Sequence, residues 1–107
     1  MTIPKLLAQS LPAAATLTAF YTVPASARAH AHTLFVCNAA AATTFRVSVA
    51  PAGALDAPKH YLFYDAPLAA NETKHLELDL PLSATDLIRI YTPGANVSFN
   101  LFGTEEI

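Results

Sequence analysis

Residues 27–37 read ARAHAHTLFVC: two histidines one residue apart, His30 and His32, then an apolar run ending at Cys37, the sole cysteine of the chain. Three readings compete for this stretch. With Lys5 and the apolar residues 6–23 ahead of it, ARA at 27–29 imitates the small-residue cleavage point of a secretory leader. A His-x-His pair on a strand is also how a cupin-type metal site begins. The third reading is one strand of a β domain with no chemistry of its own. The upstream residues favour it. Gln9, Ser10, Pro12, Thr16, Thr18 and Thr22 interrupt the apolar segment and weaken it as a membrane-inserting one. Residues 16–23, TLTAFYTV, instead alternate Leu17, Ala19, Tyr21 and Val23 with Thr16, Thr18 and Thr22, a period of two broken only at Phe20. They are expected to form the first strand of the domain.

The same period recurs downstream. TTFRVSVA (43–50) puts Phe45, Val47 and Val49 opposite Arg46 and Ser48; HLELDL (75–80) puts Leu76, Leu78 and Leu80 opposite His75, Glu77 and Asp79. NVSFNLF (96–102) sets Val97, Phe99 and Leu101 against Ser98 and Asn100. Each reads as a half-buried strand. HYLFYD (60–65) and LIRIYT (87–92) are aromatic and β-branched runs closed by Pro67 and Pro93. Prolines 24, 51, 58, 67, 81 and 93 are expected between strands, where they remove no ladder hydrogen bond. The alanines 39–42 lie between two strands and read as a hairpin loop, not a helix. This spacing predicts an all-β fold: a single antiparallel β-sandwich, jelly-roll-like, of about seven or eight strands. Residues 16–107 form that domain in this reading. Residues 1–15 are set apart as an N-terminal arm, because Pro4 and Pro12 break them and their apolar residues Ile3, Leu6, Leu7 and Leu11 follow no period. Those four side chains are the expected partner-binding residues. The expected core is Leu34, Phe45, Val47, Val49, Leu76, Leu78, Ile88, Ile90, Val97, Phe99 and Leu101.

Composition narrows the function. A chain of 107 residues with 53% hydrophobic and 13% charged residues buries one core and is far from a disordered composition. Six basic and eight acidic residues are scattered singly, giving a net charge of −2 and no basic stripe for phosphates, so no nucleic-acid partner is expected. No membrane partner is expected either. One cysteine makes no internal disulfide, so the core or neighbouring subunits must supply the stability.

The candidate chemical groups are few. His30 and His32 would share a strand face with roughly 7 Å between them, but the residues that follow, Thr33 to Cys37, lack the glutamate that a cupin pattern requires. His60 and His75 would help only if folding brought them near. Cys37, at the apolar end of a strand, reads as a small buried hydrophobe rather than a nucleophile. With only Gly53, Gly94 and Gly103, the chain has no glycine-rich phosphate loop. The Asn-x-Ser/Thr sequences at Asn71 and Asn96 read as turn asparagines. Neither catalysis, a cofactor nor a bound metal is expected. Tyr61, Tyr64 and Tyr91 could serve as stacking platforms in a carbohydrate-binding sandwich, a reading weakened by the absence of tryptophan.

Taken together, TLTAFYTVPASARAHAHTLFVCN, TTFRVSVAPAG, KHYLFYDAPLAANET, DLIRIYT and VSFNLFG resemble a group of small virion-associated proteins of tailed bacteriophages. In that group a Tyr-Thr-Val-Pro-Ala turn, a Val-Cys-Asn strand end and a closing Ser-Phe-Asn-Leu-Phe-Gly strand recur. The resemblance covers most of the chain, including the PKLLAQS arm, and its motifs are structural ones. It implies a non-enzymatic β-sandwich located in the virion, an accessory component of the tail or neck assembly at the attachment of fibres or collar. Capsid decoration is the alternative, and a carbohydrate-binding module or a cupin-like metal protein stands behind both. The implied partners are copies of the chain itself and other virion proteins. Arg28, His30 and His32 depart from the group, which has small or β-branched residues after the Val-Pro-Ala turn.

Overall fold

The computed structural model describes residues 2–106; Met1 of the expected arm and Ile107 of the expected domain lie outside it. Eight strands follow one another: β1 (Thr2–Ser10), β2 (Thr18–Thr22), β3 (Arg28–Asn38), β4 (Thr43–Ala50), β5 (Tyr61–Leu68), β6 (Thr73–Leu82), β7 (Leu87–Tyr91) and β8 (Val97–Glu106). Two short 3₁₀ turns, Pro51–Gly53 and Pro58–His60, lie between β4 and β5. The strands form two antiparallel four-stranded sheets, sheet A in the order β1-β8-β3-β6 and sheet B in the order β2-β7-β4-β5. β1 pairs with β8, β2 with β7, β3 with β6 and β4 with β5, as if one long hairpin of four strands against four had been wound up with successive pairs in alternate sheets. That winding is a jelly roll, and the all-β sandwich expected from the sequence is what the chain forms.

Between the sheets lies one core. Leu34, Phe45, Val47, Ile88, Ile90, Val97, Phe99 and Leu101 are buried as expected, while Val49, Leu76 and Leu78 pack against the cluster from partly exposed positions. The sequence reading missed Tyr21, Val23, Ala29, Ala31, Val36, Leu68 and Leu82, which complete the buried cluster. The irregular period at Phe20 has a structural cause. A β-bulge lies between Ala19 and Tyr21, so Phe20 and Tyr21 both turn toward the core, and the Phe20 ring meets the edge of Phe99 at 6.2 Å.

Three expectations need correction. First, the arm is not outside the sandwich: residues 2–10 are β1, the edge strand of sheet A, hydrogen-bonded to β8 from Thr2↔Glu106 to Ser10↔Phe99. Pro4 is compatible with this because an edge strand leaves one side of its backbone unpaired, and a bulge between Leu6 and Ala8 accounts for the irregular apolar spacing. Second, Pro67 and Pro81 lie inside β5 and β6 rather than between strands. Both are edge strands as well, and prolines there block sheet-to-sheet association along the edge. Third, residues 39–42 join β3 in one sheet to β4 in the other and so form no hairpin. Buried Asn38 anchors that crossing, its Nδ2 donating to the carbonyls of Ala41 (2.9 Å) and Ala69 (3.0 Å) and its Oδ1 accepting from the Ala40 amide. Asn71 and Asn96 sit in turns with positive φ (58° and 59°), a conformation asparagine tolerates, in keeping with their reading as turn residues.

Gly103 marks where sheet A is tightest. A Cβ there would stand 2.1 Å from the carbonyl oxygen of His30, so only glycine lets β8 approach β3 at the bulge beside His32.

Candidate functional site

Alternation and register decide which side chains each sheet turns outward. On sheet A, His30 and His32 share the outer face, with ring centroids 4.4 Å apart and planes at 24°. His30 Nε2 stands 2.5 Å from Asp79 Oδ1 on β6. His75 lies farther along the same face, stacked on Phe35 at 4.9 Å, and His60 is buried in the 3₁₀ turn just before β5 of the other sheet. Three of the four histidines thus lie on sheet A and the fourth in a turn, and among the described residues no group of three or more His, Cys, Asp or Glu is placed to hold a metal ion. Cys37 is half-buried on β3, in register with Ser98 and Thr73.

The four apolar residues expected to bind a partner do different things. Leu7 packs against the core and Ile3 is half-buried in β1, so neither is available as a free anchor. Leu11 is 62% exposed in the connection after β1. Leu6 lies in register with Phe102 of β8, the two being 40% and 41% exposed. Phe102 meets Phe35 of β3 edge-to-face at 6.0 Å, and Phe35 in turn stacks on His75 of β6. Leu6, Phe102, Phe35 and His75 therefore make a continuous strip across all four strands of sheet A. The sequence reading assigned Phe35 and Phe102 to no face, and only the β1-β8-β3-β6 order makes them neighbours.

An ionic network ties β1 into the fold. Glu105 of β8 is only 7% exposed; it accepts a hydrogen bond from the Tyr21 hydroxyl and pairs with Lys5 Nζ at 2.9 Å. These contacts, the Tyr21 bond foremost, hold the Glu105 carboxyl below the usual carboxylate range, while burial and Glu105 push the Tyr21 phenol up. Because the folded state keeps Glu105 ionised more firmly than the unfolded chain does, its contribution to stability is present at neutral pH. It is lost as the pH falls through the carboxylate range.

On sheet B the outer face is aromatic and charged. Arg46 of β4 is opposite Tyr91 of β7, and its guanidinium lies 4.7 Å from that ring's centroid. On its other flank β5 bulges: between the pairs Phe45↔Ala66 and Val47↔Phe63, Arg46 faces both Tyr64 and Asp65. Asp65 takes a positive φ of 51° to make the bulge. The result brings two consecutive residues to bear on one arginine, the Tyr64 ring 4.1 Å from the guanidinium and the Asp65 carboxylate accepting from Nε (2.7 Å) and Nη2 (3.3 Å). That pairing holds the Asp65 carboxyl below its ordinary range. The Tyr61 ring meets Tyr64 at 5.0 Å and 85°, and its hydroxyl donates to Asp56 Oδ2 at 2.8 Å. Tyr61, Tyr64 and Tyr91, named from the sequence, are thus gathered around an arginine the sequence reading left aside. Its signal was present, a lone cation on the polar side of TTFRVSVA, but nothing local says which strands lie beside it.

Searches against protein-family models, curated proteins and solved structures match nothing to this chain.

Proposed function

We propose that the chain is a non-enzymatic structural protein of a tailed-bacteriophage virion, an accessory subunit of the tail or neck assembly that helps attach fibres or collar. Its partners in this reading are copies of itself and other virion proteins, and its place is the particle. The motif resemblance set out above suggests the setting. A jelly roll is in keeping with it, although the same architecture serves capsid, lectin and cupin domains alike and fixes no function by itself. The observation that carries the assembly role is the Leu6–Phe102–Phe35–His75 strip on the outer face of sheet A, apolar surface left half-open to water on a chain with few charges to offset it. Aromatic side chains at the centre of a patch with a polar surround are how protein–protein interfaces are built. Asn100 and Thr33, in register with Phe35 and Phe102, supply that surround together with their own partners Gln9 and Glu77.

Quantitative mass spectrometry of purified particles tests this. Peptides of the chain should co-purify with the particle at a fixed copy number well below that of the major capsid protein. A number matching the capsid protein would move the subunit to capsid decoration, and absence from the particle would overturn the virion reading.

A further inference from the structure

We infer that the outer face of sheet B is a binding site for a neutral pyranose sugar, seated in the groove between Tyr61, Tyr64, Arg46 and Asp56. The groove encloses about 480 Å³ and is lined by these four residues with Ala57 and Pro58. That size falls in the range of roughly 300–1,000 Å³ found for small-molecule sites.

Its chemistry fits one class of ligand. A pyranose ring presents a face of C–H groups carrying slight positive charge and a rim of hydroxyls. The negative face of an aromatic ring suits the first, and paired carboxylate and guanidinium groups suit the second. Tyr64 remains 60% exposed although the guanidinium covers one of its faces, so its other face is open to a ligand. Tyr61 stands at 85° to it and makes the second wall of a corner. Asp65 engages Nε and Nη2 of Arg46, which leaves Nη1 to donate to a hydroxyl. Asp56, fixed by the Tyr61 hydroxyl, supplies an acceptor on the opposite wall. A phosphate or an acidic sugar would meet Asp56 while the only cation among the described residues that line the groove is already paired with Asp65. Nucleic acid is disfavoured for the same reason.

Two further observations point to this place. Asp65 is a non-glycine residue held at positive φ inside a strand, and it is this bulge that aims Tyr64 and Asp65 at one arginine. Strain of that kind persists where the surrounding structure requires it and is concentrated at binding sites. In addition, Ser48 Oγ, His60 Nδ1 and Arg89 Nη1 are buried without a hydrogen-bond partner among the described residues. Ser48 lies two residues from Arg46, in register with Arg89 on one side and Tyr61 on the other, and His60 precedes Tyr61. Ser48 and His60 thus adjoin two of the groove's lining residues, Arg46 and Tyr61, and Arg89 is paired to Ser48; buried polar groups left unsatisfied call for an explanation.

An NMR titration of the whole chain with the methyl glycosides of glucose, galactose, mannose and N-acetylglucosamine tests the proposal. At least one should shift the resonances of Tyr61, Tyr64 and the Arg46 Nε–H with a Kd of about 1 mM, the weak affinity of a shallow site for a single sugar. Tyr64→Ala, at an exposed position, should keep the spectrum of a folded domain and weaken that binding at least tenfold. No shift at these residues with any of the four sugars would overturn the proposal, as would binding that Tyr64→Ala leaves unchanged. Neither result depends on the chain's presence in a virion.

Discussion

Replacing Phe99 with alanine is expected to remove about 3–5 kcal/mol of stability, the range for truncating a large aromatic side chain in a packed core. Phe99 is fully buried on β8, and its ring makes edge-to-face pairs with Phe20 from β2 and Phe45 from β4, at 6.2 and 6.3 Å. Its ring thus engages two strands of sheet B at once, and truncating it removes both contacts. Against a total stability of about 5–15 kcal/mol for a domain of this kind, the loss is a large share of the margin. Urea unfolding would show the midpoint falling with the slope unchanged. A change below about 1 kcal/mol would place Phe99 outside the core.

Deleting residues 1–10 is expected to be comparably damaging. The deletion takes away the edge strand of sheet A, the packing of Leu7 on the core, the Gln9–Asn100 hydrogen bond and the Lys5 partner of buried Glu105. Lost packing and lost ladder bonds together amount to roughly 3 kcal/mol or more. The deletion also bares the edge of β8, a central strand with no proline to guard it, so the shortened chain should aggregate as it unfolds. Thermal unfolding followed by circular dichroism and light scattering would register both effects. A shortened domain as stable and as soluble as the original would restore the reading of these residues as a detachable arm.

That reading failed for an identifiable reason. Strand periodicity is legible where a strand is regular and one face is buried, which is why Phe45, Val47, Val97, Phe99 and Leu101 were assigned to the core from their spacing. It is illegible at a bulge, where one extra residue shifts the phase. β1 carries a bulge at Leu7 and a proline at position 4, so it looked structureless; β2 carries one at Phe20, which appeared as a single break in an otherwise clear pattern. Prolines 67 and 81 misled in a related way, because tolerance of proline depends on whether a strand lies at an edge, and strand order is a property of the whole fold. The same limit applies to the surfaces. Tyr61, Tyr64 and Tyr91 could be named as stacking residues from their type, but the strand order β7-β4-β5 and the Asp65 bulge are what bring two of them onto Arg46. His30 and His32 were legible as neighbours on one strand face, but the stacking of their rings at 4.4 Å was not.

If sheet A meets other subunits through the strip centred on Phe102, as proposed, the mass of the protein in solution will show it. Size-exclusion chromatography with multi-angle light scattering on the whole chain at micromolar concentration should give a defined oligomer. Phe102→Lys, a change on the outer face that leaves the core untouched, should give a monomer with the same circular dichroism spectrum. A native chain that runs as a monomer, or a Phe102→Lys variant that assembles as the native chain does, would contradict the account.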